Sequence, residues 1–182
     1  MIMETERLRL RPWQEKDIDS LYLYAKDPAV GPICGWMPHK DREESRWVLE
    51  HILMVPETYA VEFKATGEAI GSISLMFGDA GNMPLQEGEC ELGYWLGVPY
   101  WGQGLIPEAA KELLRHAFED LNCSGVWCEH FEGNLQSRRV MEKCGFVYDH
   151  TTEKKYRASM DAEGVGYVFF LNQSHWMESQ SI

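Results

Sequence analysis

In "TERLRLRPW", residues 5–13, apolar and basic positions alternate: Leu8 and Leu10 face one way, Arg7, Arg9 and Arg11 the other. A period of two predicts a half-buried strand. The period then lengthens. In "QEKDIDSLYLYAKD" (14–27) Ile18, Leu21, Tyr22 and Leu23 recur at roughly helical spacing, and Asp27-Pro28 closes the helix. "AVGPICGWMPH" (29–39) reads as a Gly/Pro loop. "DREESRWVLEHIL" (41–53) predicts a second helix, with Asp41 as its cap and acids in its first turn.

Two β-rich runs follow, "ETYAVEFK" (57–64) and "EAIGSISLMF" (68–77), and Thr66-Gly67 between them signals a hairpin. After a loop at 78–88, "ECELGYWLGV" (89–98) predicts another strand. In "PEAAKELLRHAFEDLN" (107–122) Ala109, Ala110, Leu113, Leu114, Ala117, Phe118 and Leu121 share one broad face of a helix. "SGVWCEHF" (124–131) is a strand, and "NLQSRRVMEKC" (134–144) is a helix stopped by Gly145. "FVYDHTTEKKYRA" and "EGVGYVFFLNQS" finish as strands that turn near Met160-Asp161, and residues 174–182 read as a frayed tail. The order β-α-α-β-β-β-α-β-α-β-β predicts an α/β (α+β) fold. Its mixed, mostly antiparallel, twisted sheet has about seven strands, with a central β-α-β unit and helices on both faces. At 182 residues the chain suits one domain spanning 1–182.

Charge narrows the partners. Seventeen basic against 29 acidic side chains leave a net charge of −12, which repels nucleic acid and anionic membranes and either serves solubility alone or attracts cationic acceptors. Cys34, Cys90, Cys123, Cys128 and Cys144 are odd in number and form no C-x-x-C pair, so neither a disulfide framework nor a metal site is expected. No signal-peptide core and no membrane-spanning run is visible. The expectation is a cytoplasmic protein with reduced thiols.

"YWGQGLIPEA" (100–109) carries the first candidate chemistry. The first turn of a helix has unpaired N–H groups at its positive end, and a glycine-rich entry lets them close around an anion. Gly102, Gln103, Gly104, Leu105 and Ile106 can offer such donors. Pro107, with no N–H, fits the first full helical position. A Walker loop would need Lys followed by Ser or Thr, and a Rossmann loop a third glycine where Pro107 stands. A tight strand-to-helix turn without a ligand stays open at this point.

The second motif is "NLQSRRVMEKCGF", which places Asn134, Ser137 and Met141 on one helix face. Taken together, "YWGQGLIPEA", N-x-x-S-x-x-V-M-E-K-C-G-F, "TERLRLRPW" and "ELGYWLG" resemble the GNAT superfamily of acyl-CoA N-acyltransferases. The resemblance is strongest to its Rim-type branch of ribosomal-protein N-acetyltransferases, over residues 3 to about 172.

That resemblance implies the acyl-CoA N-acyltransferase fold and acetyl-CoA as co-substrate, with no metal. It implies a cofactor wedge between strands 91–98 and 125–131, with Leu96 and Val98 supplying backbone groups and residues 102–106 holding the pyrophosphate. Asn134 would bond the pantetheine arm. Trp101 stands where the family often has a cation, and either anchors the turn or lines the cofactor. Many members carry a tyrosine acid at the position of Met141, so the acid role passes to Ser137, on the same face. The base candidates are Glu91, then His130, then Glu68 in the hairpin turn. The acceptor is an amine, of a small molecule or a protein N-terminus, expected over Trp36, Met37 and Trp47 with the 78–88 loop as a rim. A homodimer is compatible. A non-catalytic acyl-CoA-binding module on the same fold is the alternative, favoured by Met141.

Overall fold

The structure is a computed structural model and describes residues 1–157 and 162–179. Its strands are β1 (Met3–Glu4), β2 (Leu8–Pro12), β3 (Thr58–Phe63), β4 (Glu68–Met76), β5 (Glu89–Leu96), β6 (Gly125–Phe131), β7 (Val147–Arg157) and β8 (Ala162–Asn172). The helices are α1 (Ile18–Ala25), α2 (Gly31–Cys34), α3 (Arg42–Val48), α4 (Leu105–Arg115), α5 (Leu135–Lys143) and α6 (Gln173–Ser179). The strands form one mixed, mostly antiparallel sheet in the order β1-β2-β3-β4-β5-β6-β8-β7. The expected sheet of about seven strands gains one: β1, two residues long, pairs Met3 with Leu10. The sheet's parallel pair is β5 with β6, joined through α4, which is the expected β-α-β unit. The turn expected near Met160-Asp161 lies outside the described residues.

The chain divides into two compact units: Met1–Ser74 with Tyr94–Glu112, and Leu75–Gly93 with Leu113–Ile182. In the first, Leu8 and Leu10 are wholly buried, as the alternation of β2 requires. Arg11 departs from that alternation. It is buried and donates to Asp17 through both terminal nitrogens (2.7 and 2.8 Å) and to Glu62 through Nε (2.5 Å). Both carboxylates are buried as well, and pairing is what lets three charges stay inside. In α1 the buried residues are Ile18, Leu21, Tyr24 and Ala25, while Leu23 faces solvent. The stripe therefore runs at three and four rather than through Tyr22 and Leu23. The loop expected at 29–39 contains the short helix α2, and Asp41 caps α3 by accepting from the Glu44 N–H at 2.8 Å. Trp13, Ile18, Leu21, Leu49 and Ala60 form the core, with Trp36 and Trp95 packed against it. Each fully buried leucine there is worth about 2 kcal/mol.

In the second unit, β6 pairs antiparallel with β8 and β8 with β7. The face predicted for 107–122 is buried from Ala109 to Phe118, but Leu121 is exposed. The last turn, His116–Asp120, is π-wound, which rotates Leu121 off the stripe. The frayed tail is corrected in part: 173–179 are helical. Asn172 Oδ1 accepts from the His175 N–H (2.8 Å), and Trp176 stacks on Phe118 with ring centroids 5.7 Å apart. No helix among the described residues is long and apolar enough to cross a membrane.

Candidate active site

Residues 98–104 leave β5 through a 3₁₀ turn and enter α4 through two left-handed glycines, Gly102 at φ 74° and Gly104 at φ 75°. A Cβ on Gly102 would meet none of the described residues within 4 Å. The first bond of α4 is Glu108 N–H to Gly104 O (3.2 Å). Among the described residues, the N–H groups of 102–106 have no protein acceptor. α4 begins at Leu105, two residues before the expected start, so Pro107 is its third residue rather than its first. A proline is still tolerated there, because first-turn N–H groups have no intrahelical partner. This open run of donors fits a phosphate-sized anion.

Trp101 is the anchor of the turn. Its indole N–H donates to Leu96 O at 2.7 Å and its backbone N–H to Val98 O at 3.1 Å. The carbonyls of Leu96 and Val98 thus each accept one bond from Trp101. The Gln103 amide donates to Pro99 O (2.9 Å), which turns that side chain back onto the loop.

Sequence reasoning missed Arg7. Its Nη1 donates to Gln103 O (3.0 Å), its Nε to Glu108 Oε2 (2.7 Å) and its backbone N–H to Glu108 Oε1 (2.8 Å). Burial pushes the Glu108 carboxyl up, but the hydrogen bonds from Thr5 and Arg7 outweigh it and hold the group below its ordinary value. Arg7 thereby sets a guanidinium at the glycine loop, where Trp101 offers no charge. Strand alternation marked it only as an outward residue, and only the fold brings 7 next to 103.

In the second unit, Asn134 is the N-cap of α5 rather than a residue within it, and its Oδ1 accepts from the Ser137 N–H at 3.1 Å. Ser137 and Met141 are buried on the face expected of them, and Met141 is wholly enclosed. Glu91 is buried, accepting from the Asn82 N–H (2.5 Å) and the Asn82 side-chain amide (3.0 Å). The carboxylate therefore ties β5 to the 78–88 loop.

His130 is also buried. Its Nδ1 lies 3.0 Å from Phe131 O, a contact that requires the proton on Nδ1 and leaves Nε2 as a bare lone pair. Among the described residues, Nε2 is buried with no hydrogen-bond partner. Burial, the largest cause, depresses the His130 pKa and keeps the ring neutral. Trp127 sits opposite Glu91 in the parallel pair, and residues along β6 alternate between faces. Trp127 and Glu129 therefore share the Glu91 face, and His130 lies on the other.

A cavity of about 290 Å³ opens on that Glu91 face, lined by Met83, Pro84, Trp127, Glu129, His150, Thr152 and Val168. Met83 and Pro84 of the 78–88 loop form one wall of it. Of the aromatics assigned to the acceptor, Trp36 packs edge-on against Trp95, with centroids 5.9 Å apart. Trp47 is exposed and stacks on His51. Glu68 begins β4. No cluster of three metal-ligating side chains occurs among the described residues.

A family model described as an acetyltransferase (GNAT) domain matches residues 7–147. An uncharacterized N-acetyltransferase p20 from Bacillus licheniformis is 29% identical over 147 residues, which cover 78% of this chain and 80% of that protein. A putative ribosomal N-acetyltransferase, YdaF, from Bacillus subtilis is 35% identical over 81 residues, covering 44% of this chain and 42% of that one. A crystal structure of a putative acetyltransferase from T. thermophilus superposes with a TM-score of 0.84 at 27% identity, covering 99% of this chain and 93% of the other.

Proposed function

As the chain belongs to the GNAT acetyltransferase family, we propose that it transfers the acetyl group of acetyl-CoA to a primary amine by direct attack in a ternary complex. In this reading 1–182 act as one acetyltransferase domain in the cytoplasm, where its cysteines stay reduced. The observation that carries the reading is the run of N–H groups at 102–106, opened by Gly102 and Gly104, that have no acceptor among the described residues. Those donors hold the CoA pyrophosphate, and Arg7 adds a positive charge beside them. Leu96 and Val98 offer backbone groups to the pantetheine arm, and Asn134 a side-chain amide.

Bound acetyl-CoA supplies an acyl group activated as a thioester. The amine must be neutral to attack, so Glu91 takes its proton, directly or through water. His130 Nε2, a neutral lone pair on the other face of the sheet, is the second base candidate, for an amine that approaches from that side. The Ser137 hydroxyl gives a proton to the departing sulfur, and the products are an amide and a free thiol. The acceptor is a small amine or a protein N-terminus.

The test is CoA release across a panel of amines and peptides. The expected result is release with at least one acceptor class, with kcat lowered about 100-fold or more in Glu91→Gln. Tight CoA binding without release across the whole panel would refute the reading.

A further inference from the structure

We propose that the cavity on the Glu91 face of the second unit is the acceptor pocket and that it selects an aliphatic ammonium ion; the proposal rests on the acetyltransferase reading above.

The rows of the sheet build this pocket. Glu129 on β6 lies opposite Val168 on β8, and Val168 opposite His150 on β7. One row along, Phe131, Gly166 and Thr152 are aligned in the same way. Residues opposite one another in a sheet project to the same side. Met83 and Pro84 of the 78–88 loop close over these rows, leaving about 290 Å³. That volume suits a short alkyl chain with a polar head.

The polar head is defined by Glu129. Its carboxylate occupies the space a Cβ on Gly166 would need, so the glycine lets it lie across β8. The Thr152 hydroxyl donates to Glu129 Oε1 at 3.1 Å, the nearer of its two acceptors, the other being Gly166 O at 3.3 Å. Thr152 is itself held at the backbone of Gly166, accepting from its N–H at 2.9 Å. Among the described residues, no cationic side chain forms an ion pair with Glu129. A half-buried carboxylate that meets a neutral donor and, among the described residues, has no ion-pair partner is a receptor for a cation.

The rest of the lining agrees. The Trp127 indole N–H donates to Glu89 Oε2 at 2.9 Å, and its ring packs on Phe170, with centroids 4.3 Å apart. The ring is therefore locked before any ligand arrives. An indole face attracts an ammonium group. Met83, Pro84 and Val168 offer apolar contact to methylenes and no competing charge. The negative net charge of −12 draws cations to the molecule as a whole.

An alkylammonium head can belong to a free aliphatic amine or to a lysine side chain. The probes are therefore 1,4-diaminobutane and Nα-acetyl-lysine amide, and the tighter binder assigns the source. Binding is read by calorimetry without acetyl-CoA, on wild type, Glu129→Gln and Trp127→Leu. Gln is isosteric and keeps an acceptor for Thr152, so the fold stays intact. One probe at least should bind wild type, with Kd raised tenfold or more in Glu129→Gln and several-fold in Trp127→Leu. In turnover, Glu129→Gln should raise KM for that amine tenfold or more and leave CoA affinity within twofold. KM for aniline, neutral at pH 7, should not move. Equal affinity of wild type and both variants, or no binding of either probe, overturns the pocket assignment. Amine binding lost in Glu129→Gln while wild type acetylates nothing would sustain the pocket and overturn the acetyltransfer instead.

Discussion

The N-termini of α4 and α5 are opposite solutions to one problem. Both helices begin with N–H groups that have no intrahelical partner. At α5 the protein closes its own end, with Asn134 Oδ1 accepting from the Ser137 N–H. At α4 it does the reverse: Gly102 and Gly104 hold left-handed conformations, and no acceptor meets the N–H groups of 102–106 among the described residues. An end closed by its own side chain contributes stability. An end held open, beside an arginine, forgoes that stability and leaves donors that suit an anion.

Reversing the charge at the open end should have the largest effect. Gly102→Asp and Gly102→Asn both tolerate the left-handed backbone, so they differ only in charge. A carboxylate against the CoA pyrophosphate costs several kcal/mol, so Kd by calorimetry should rise on the order of 100-fold in Asp. Asn should stay within a few-fold of wild type. Equal affinities for the two variants would mean that the loop is only a turn, and the contrast between the helix ends would collapse.

Removing the cation should have the next largest effect. Arg7→Met is expected to weaken CoA binding about tenfold, by losing one charge-assisted bond. It should change stability by at most about 1 kcal/mol, since the pair with Glu108 is partly exposed. Glu108→Gln separates the two roles. If it weakens CoA as much as Arg7→Met does, the ion pair shapes the loop and the charge itself is not felt.

Period and punctuation made most of the sheet and both motif helices legible. The hairpin at Thr66-Gly67, the Asp41 cap and the Gly145 stop are local chemistry, and they stand where the sequence places them. What sequence missed was non-local. Arg11 looks outward by alternation, yet it is buried by carboxylates at 17 and 62, which only folding brings together. Leu121 lies on the stripe of an ideal helix, but a π-wound turn removes it. Trp176, in an expected tail, finds Phe118, which is remote in sequence. The same limit held at the site. Donors 102–106 were readable because a helix entry is local, whereas Arg7 was not, because its partner is Gln103. The Glu129 pocket depends on three strands in register, and spacing within one segment cannot show that.

The closed end makes a smaller and purely structural prediction. Asn134→Ala should lose about 1 kcal/mol in urea denaturation, whereas Asn134→Ser, itself a good cap, should lose almost nothing. CoA affinity sharpens the result. If Ser keeps stability but loses affinity, Asn134 serves both the helix and the pantetheine arm.

The smallest effect is a pH dependence carried by His130, which stacks on Tyr167 with ring centroids 5.1 Å apart. Burial holds its folded pKa below the ordinary value near 6.5, so the unfolded chain binds the proton more readily. The stabilisation is therefore complete above about pH 6.5 and is lost as pH falls through the depressed folded value. In His130→Phe, which retains an aromatic ring against Tyr167, the slope of stability against pH should become shallower by at most about one proton. That change should appear below pH 6.5 and vanish above it. His39, buried in the first unit and also depressed, contributes its own slope and remains in the variant as an internal reference. An unchanged slope would show that the His130 ring takes up its proton equally in the folded and unfolded chain, and would remove the basis for treating Nε2 as a neutral base.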